Sequence, residues 1–202
     1  MQDGPALSKF PGHHTDGRHD SSNERLVERV AAGDRLAMQV LYQRHHLRVY
    51  RFVLRIVNDA ATAEDLTSDV FLDVWKHAGR FEGRSQVSTW ILSIARYKAA
   101  AALRCRANDP LDEEIAKKIP DAADNPELIV QKQNQSAILR QCLTQLSPAH
   151  REIIDLVYYH EKSIAEVAEI IDAPQNTVKT RMFHARKRVA ALLDARGFDA
   201  AA

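Results

Sequence analysis

The sequence is short of several things, and each shortage removes a class of protein. It holds two cysteines, Cys105 and Cys142, at no metal-ligand spacing, so neither a disulfide framework nor a metal site is implied. Cys142 lies on an apolar stripe and reads as core. No apolar run approaches the roughly 20 residues of a membrane span, and the N-terminus lacks a signal-peptide pattern. A soluble, cytoplasmic protein is expected. There is no phosphate-cradling glycine loop and no nucleophile elbow, so no catalytic residue or cofactor is implied and an enzyme is not expected. Charge of one sign is not in excess either. The formal net charge is +1, which argues against a wholly cationic coat but leaves room for local patches. Alternation of period two is missing, and the predicted fold is all-α.

What is present divides into two small helical domains. Residues 1–22, rich in Gly, His, Asp and Ser, read as a disordered tail in which His13, His14 and His19 have no companion ligands. From 23 to 106 the pattern is helical, with helices expected at 24–32, 34–57 behind an Asp34 cap, 62–77 and 87–105; Asn58 and Asp59 supply the break after the second. Residues 107–127 carry three prolines and seven acids against two lysines, a composition for a flexible acidic linker. A second helical unit follows over 128–196, ahead of a short tail at 197–202. Ile138, Leu139, Cys142, Leu143 and Leu146 line its first helix. Ser147 with Pro148 opens the next, and Ser163 with Glu166 forms a capping box at the start of the third.

The last helix carries the clearest chemistry. Val178, Met182, Ala185, Val189 and Leu192 fall on one stripe at spacings of four and three. Asn176, Thr180, Phe183, His184 and Lys187 fall opposite, and Lys179, Arg181, Arg186 and Arg188 flank them with no acid nearby. A solvated cationic face would look similar, but it would leave the Phe183 ring in water. In a major groove that ring packs on a thymine methyl. The helix at 164–171, set off by the turn Asp172-Ala173-Pro174, completes a helix-turn-helix. Asn176, Thr180, Phe183 and His184 are candidates for base edges, and Lys179, Arg181, Lys187 and Arg188 for phosphates.

Two further segments stand out. Arg84, Arg96, Lys98, Arg104 and Arg106 form an acid-free run interleaved with Tyr97 and preceded by Gly83, Ser85 and Gln86. Cations beside an aromatic and a polar loop suit melted DNA, although an ordinary solvated helix remains open. Trp90 shares a stripe with Val87, Ile91 and Ile94 and reads as packing rather than base stacking. Asp65, Asp69 and Asp73 recur every four residues beside Ser68, an arrangement that costs an isolated helix a few tenths of a kcal/mol per pair and that a basic partner would relieve.

Three segments in this order, "TAEDLTSDVFLDVWK" (62–76), "FEGRSQVSTWILSIARYKAAAALR" (81–104) and "LSPAHREIIDLVYYHEKSIAEVAEIIDAPQNTVKTRMFHARKRV" (146–189), resemble a bacterial RNA polymerase sigma factor of the extracytoplasmic-function group of the sigma-70 family. The resemblance implies that 23–106 is region 2 and 128–196 region 4. It implies that Asp65, Leu66, Ser68, Asp69, Val70 and Asp73 bind core polymerase, at the segment that grips the clamp helices of its largest subunit. Gly83, Arg84, Ser85, Gln86 and Ser88 then take an unstacked base of the melted non-template strand at the downstream element, with Arg96, Tyr97 and Arg104 on the helix that follows the upstream edge of the melted segment. Gln175, Asn176, Thr177, Lys179, Thr180, Arg181, Phe183, His184, Lys187 and Arg188 read the upstream element as duplex. An anti-sigma factor, acting in a stress response, is the implied regulator. Ser68 stands where the family usually has glutamine, and Asp172 and Asn176 stand where glycine is frequent. The competing reading is a two-domain regulator that binds duplex DNA through the same helix-turn-helix without polymerase; it leaves the run at 84–106 and the acidic linker without a purpose.

Overall fold

The computed structural model describes residues 17–107, 139 and 141–196, with the side chains of 17–22 and 107 excepted. The remainder of the expected linker, most of the N-terminal tail and all of the C-terminal tail lie outside the described residues. Among those described, every regular element is helical. The first unit comprises α1 (Gly17–Ala31), α2 (Arg35–Val57), α3 (Ala60–His77), a short 3-10 turn (Ala78–Arg80) and α4 (Val87–Ala107). The second comprises helical residues 141–144, then α5 (Pro148–Tyr158), α6 (Ile164–Ile171) and α7 (Gln175–Asp194).

The helix boundaries follow from local chemistry. The Asp34 carboxylate accepts from the backbone N–H groups of Leu36 and Ala37 and is held by the Arg29 guanidinium at 2.6 Å. Asn58 ends α2 in the left-handed region at φ 54°, and the next residue, Asp59, caps α3. Ser147 accepts from His150 at the start of α5, and Ser163 with Glu166 forms the reciprocal box at the start of α6. Asp172 closes α6 at φ 51°, a conformation that a short polar side chain tolerates better than most. Gly33, at φ 87°, reverses the chain after α1. The largest departure from the expected boundaries is at α1, which reaches back to Gly17, into the stretch read as tail. Extending an existing helix adds one hydrogen bond per residue fixed, so composition alone underestimates its reach.

The core of the first unit is built from Val27, Leu41, Val49, Phe52, Val70, Val74, Val87 and Ile91. In the second unit Cys142, Leu146, Ile153, Leu156, Val167, Val178, Met182 and Ala185 are buried. Trp90 is half-buried, its ring 5.0 Å from that of Phe81, so it packs as expected. Leu139, expected on the packed stripe, is 40% exposed. The two units touch: α4 lies against α6, and α2 meets α5. Their buried apolar side chains form one continuous cluster.

Leu41 and Leu36 provide a test of this packing, because both sit on α2 but Leu41 is fully enclosed while Leu36 is 69% exposed. Leu41→Ala is expected to destabilise by about 2–5 kcal/mol and Leu36→Ala by less than about 0.5 kcal/mol. Urea unfolding of the full chain followed by circular dichroism measures both.

Candidate nucleic-acid interface

α7 projects from the second unit with its apolar stripe inward. Val178, Met182 and Ala185 are buried, and the opposite face is open. Gln175, Asn176, Lys179, Thr180, Phe183, His184, Lys187 and Arg188 are all exposed, while Thr177 and Arg181 are half-buried. Phe183 is 64% exposed, with its ring edge-on to His184 at 5.4 Å. The Thr180 hydroxyl donates to the carbonyl of Asn176 at 2.9 Å, which leaves its oxygen free to accept. The first turn of α7 holds no acid, so its N-terminal end keeps the positive potential that suits a phosphate. Shape, charge and one exposed aromatic therefore coincide on a single face.

The run at 84–106 looks different once folded. Most of its cations meet acids, one beside them in sequence and the others on different helices. Arg84 bonds Glu82 at 2.5 Å, Arg96 bonds Glu152 of α5 at 2.8 Å, Lys98 bonds Asp73 of α3 at 2.8 Å, and Arg106 lies 3.7 Å from Asp59. The acid-free surface expected from sequence is thus largely paired, because neighbours in space are not neighbours in sequence. Tyr97 (71% exposed) and Arg104 remain open to solvent. In the preceding loop Gly83 takes φ 67°, with open space around it. Its backbone angle, rather than crowding, explains glycine there.

The acidic stripe divides in a similar way. Asp65, Ser68 and Asp69 are exposed and Leu66 is half-buried. Asp73 is spent on Lys98. Val70 corrects the sequence reading: it is fully enclosed and belongs to the core, since the apolar stripe of α3 lies immediately beside its acidic one. The face holds an apolar residue instead at Leu72, which is 53% exposed and three positions after Asp69.

Residues 41–108 match the family described as Sigma-70 region 2, and residues 136–189 match Sigma-70, region 4. The chain belongs to the sigma-70 family. It is a sigma factor of the extracytoplasmic-function (ECF) group. It is similar to the ECF RNA polymerase sigma factor SigK of Mycobacterium tuberculosis, with 28% identity over 180 residues covering 88% of this chain and 96% of that protein. It is also similar to the RNA polymerase sigma-H factor of Pseudomonas aeruginosa, 26% identical over 176 residues that cover 83% and 91% of the two chains. Among solved structures the fold resembles CnrH in complex with the cytosolic domain of CnrY (TM-score 0.63, 21% identity, 86% of this chain and 98% of that one). It likewise resembles the sigma factor RpoE in complex with the anti-sigma factor NepR from Bartonella quintana (TM-score 0.64, 24% identity, 77% and 96%).

Within this sigma factor, sequence reasoning missed a polar hub. It read Glu166 only as a cap. The Glu166 carboxylate does accept from the Ser163 backbone N–H at 2.9 Å, but it also accepts from Lys162 Nζ at 2.9 Å and from the Thr89 hydroxyl of α4 at 2.7 Å. Burial pushes its pKa up, yet the Lys162 ammonium, the Ser163 amide and Thr89 outweigh that and bring it from the ordinary 4.5 down to about 2. No sequence signal links Thr89 to Glu166. The signal available for Lys162 was its place four residues before the capping acid.

Two outcomes follow. A carboxylate whose folded pKa is depressed stabilises fully above its ordinary value and loses that contribution as pH falls through its folded one. Thermal melts of the sigma factor should therefore lose stability between about pH 4.5 and 2 more steeply than melts of Glu166→Gln; parallel curves would refute the assignment. For the exposed cation on α7, Lys187→Ala should weaken DNA binding almost equally across sequences and lower the salt slope by about one. A sharp change of sequence preference at an unchanged salt slope would rule out a phosphate role.

Proposed function

We propose that this sigma factor binds core RNA polymerase, directs it to particular promoters and helps to melt them. α7 serves as the reader of the upstream element in duplex form, with Asn176, Thr180, Phe183 and His184 toward base edges and Lys179, Arg181, Lys187 and Arg188 on phosphates. The loop 82–86 and the start of α4 receive the melted non-template strand. Gly83, Arg84, Ser85, Gln86 and Ser88 surround an unstacked base, and Arg96, Tyr97 and Arg104 follow the strand upstream. Asp65, Ser68 and Asp69, with Leu66 and Leu72 as apolar contacts, form the face that docks on polymerase. Charges around a small apolar centre are the ordinary composition of a protein interface. The observation that carries this reading is the occurrence of both family regions, in order, on one chain whose α7 presents cations and an exposed Phe183 outward.

An anti-sigma factor is the natural regulator, in a stress response, given that the two solved structures named above are complexes, one of them with an anti-sigma factor so named. No helix among the described residues is long and apolar enough to cross a membrane.

Run-off transcription with purified core polymerase on genomic promoter fragments tests the reading. Discrete transcripts are expected only when this chain is added. The paired change Asp65→Lys and Asp69→Lys should abolish co-elution with core polymerase while leaving helicity intact. Transcription without the chain, or co-elution that survives the charge reversal, would overturn it.

A further inference from the structure

The cations of the 84–106 run are mostly paired, but a second set is not. α2 is 23 residues long and carries five arginines, two histidines and no acid. Arg44, Arg48, Arg51 and Arg55 follow one another at spacings of four, three and four, which places them in a single stripe along one flank of the helix. Like charges at those spacings repel, and α2 has no acid of its own to offset them. The neighbouring α1 mixes its signs, setting Glu24 and Glu28 among Arg25 and Arg29.

Folding engages only the ends of the stripe. Arg55 pairs with Asp155 of α5, and its guanidinium lies 4.2 Å from the centre of the Tyr159 ring. Arg44 donates to the side-chain oxygen of Asn23 at 2.8 Å. Between them Arg48 and Arg51 are exposed, and among the described residues no acid stands within ion-pair reach of either. Two like charges are thus left side by side on an open surface.

That surface adjoins the segment proposed to capture the strand. Arg48 and Ser88 line one cavity of about 10 Å³, the room of a single water molecule, which Lys162 also lines. Lys162, in the turn between α5 and α6, donates from its Nζ to Ser88 Oγ at 2.7 Å and to Gln86 Oε1 at 3.0 Å. The middle of the stripe therefore begins where the 82–88 segment ends.

We propose that Arg48 and Arg51 of α2, with Arg44 beside them, form a phosphate track that carries the non-template strand past the base held at 82–88. The inference rests on the reading of that segment as the strand-capture site and adds a helix which that reading leaves out. A guanidinium meets two phosphate oxygens at once, in a fork that an ammonium cannot reproduce. Contacts of this kind set affinity and position, while the capture segment reads the base. Exposed Leu36, Val40 and Leu47 lie on the next strip of α2 and would suit an acidic helical protein. DNA is favoured because the arginine stripe, not the leucines, reaches Ser88.

The test uses the full chain bound to core polymerase and a forked DNA. The single-stranded arm of the fork is the non-template strand of a genomic fragment that the parent transcribes. In a Cys105→Ser background, a photo-cross-linker attached at Arg48→Cys or at Arg51→Cys should label that arm. Arg48→Ala with Arg51→Ala should weaken fork binding at least about tenfold and make the log–log salt slope shallower by about 1.4, since each phosphate contact on a single strand contributes about 0.7. Arg48→Lys with Arg51→Lys should restore the slope and only part of the affinity. Arg25→Ala, which removes an exposed cation from α1, should change neither. Co-elution with core polymerase should persist in every variant. A label on a polymerase subunit with none on the arm overturns the track and marks the α2 face as a protein contact. A double alanine variant of parental helicity that keeps parental affinity and slope overturns it too. A parent that transcribes no fragment would instead sink the sigma-factor reading.

Discussion

An ammonium group removed from water loses several kcal/mol of hydration, and only close, well-aimed acceptors recover it. Lys162 faces that demand at the seam between the two helical units, and the three oxygens around its Nζ meet it. The group has three protons to place and three acceptors to receive them, two from the first unit and one from the second. That arithmetic fixes how the units meet, because any other register would leave the buried ammonium without acceptors. It also makes the tie reversible. Once water can enter, Lys162 and Glu166 stay paired on their own unit, and Gln86 and Ser88 are solvated at little cost.

The same constraint explains the division of acids and bases through the molecule. The chain is nearly neutral, and folding uses most of its interior-facing charge in cross-element pairs: Lys98 with Asp73, Arg96 with Glu152, Arg55 with Asp155. What remains outward is sorted by sign. Asp65 and Asp69 are exposed on α3, and Lys179, Lys187 and Arg188 on α7. A small protein of balanced composition can therefore present an acidic face to one partner and a basic face to another, provided the surplus of each sign is neutralised internally.

Features governed by nearby residues were legible in the sequence. Asp34, Ser147, Ser163 with Glu166, and the left-handed Asp172 all sit where their local hydrogen bonds require. The inward stripe of α7 was legible for the same reason, since Val178, Met182 and Ala185 are fixed by helical period alone. Features that depend on distant pairing were not. Glu152 lies 56 residues from Arg96 and Glu166 lies 77 from Thr89, and no local pattern announces either partner. Val70 was misread for an intermediate reason. It follows Asp69 directly, and one step of about 100° around a helix carries the chain from the solvent face into the core. Leu72, three steps from Asp69, returns to the outer face and was passed over because an exposed leucine carries no signal until burial is known.

A closed seam has a thermodynamic consequence for any partner that opens it. A partner can shift an equilibrium only by the difference in its affinity for the two states, so whatever opens the seam binds the open state more tightly by at least the closing free energy. The acidic face on α3 is exposed in the closed state and gives no such difference by itself. The difference has to come from contacts that exist only when the second unit has moved away, and the atoms released by that movement are those of Gln86, Ser88, Thr89 and Arg96. A partner that needs the second unit displaced and a ligand of those released atoms would therefore favour the same open form. Each strengthens the binding of the other, and the reciprocity of linked equilibria requires the coupling to be equal in both directions. A seam between two units is thus sufficient to make binding at the atoms it covers conditional on whatever opens it.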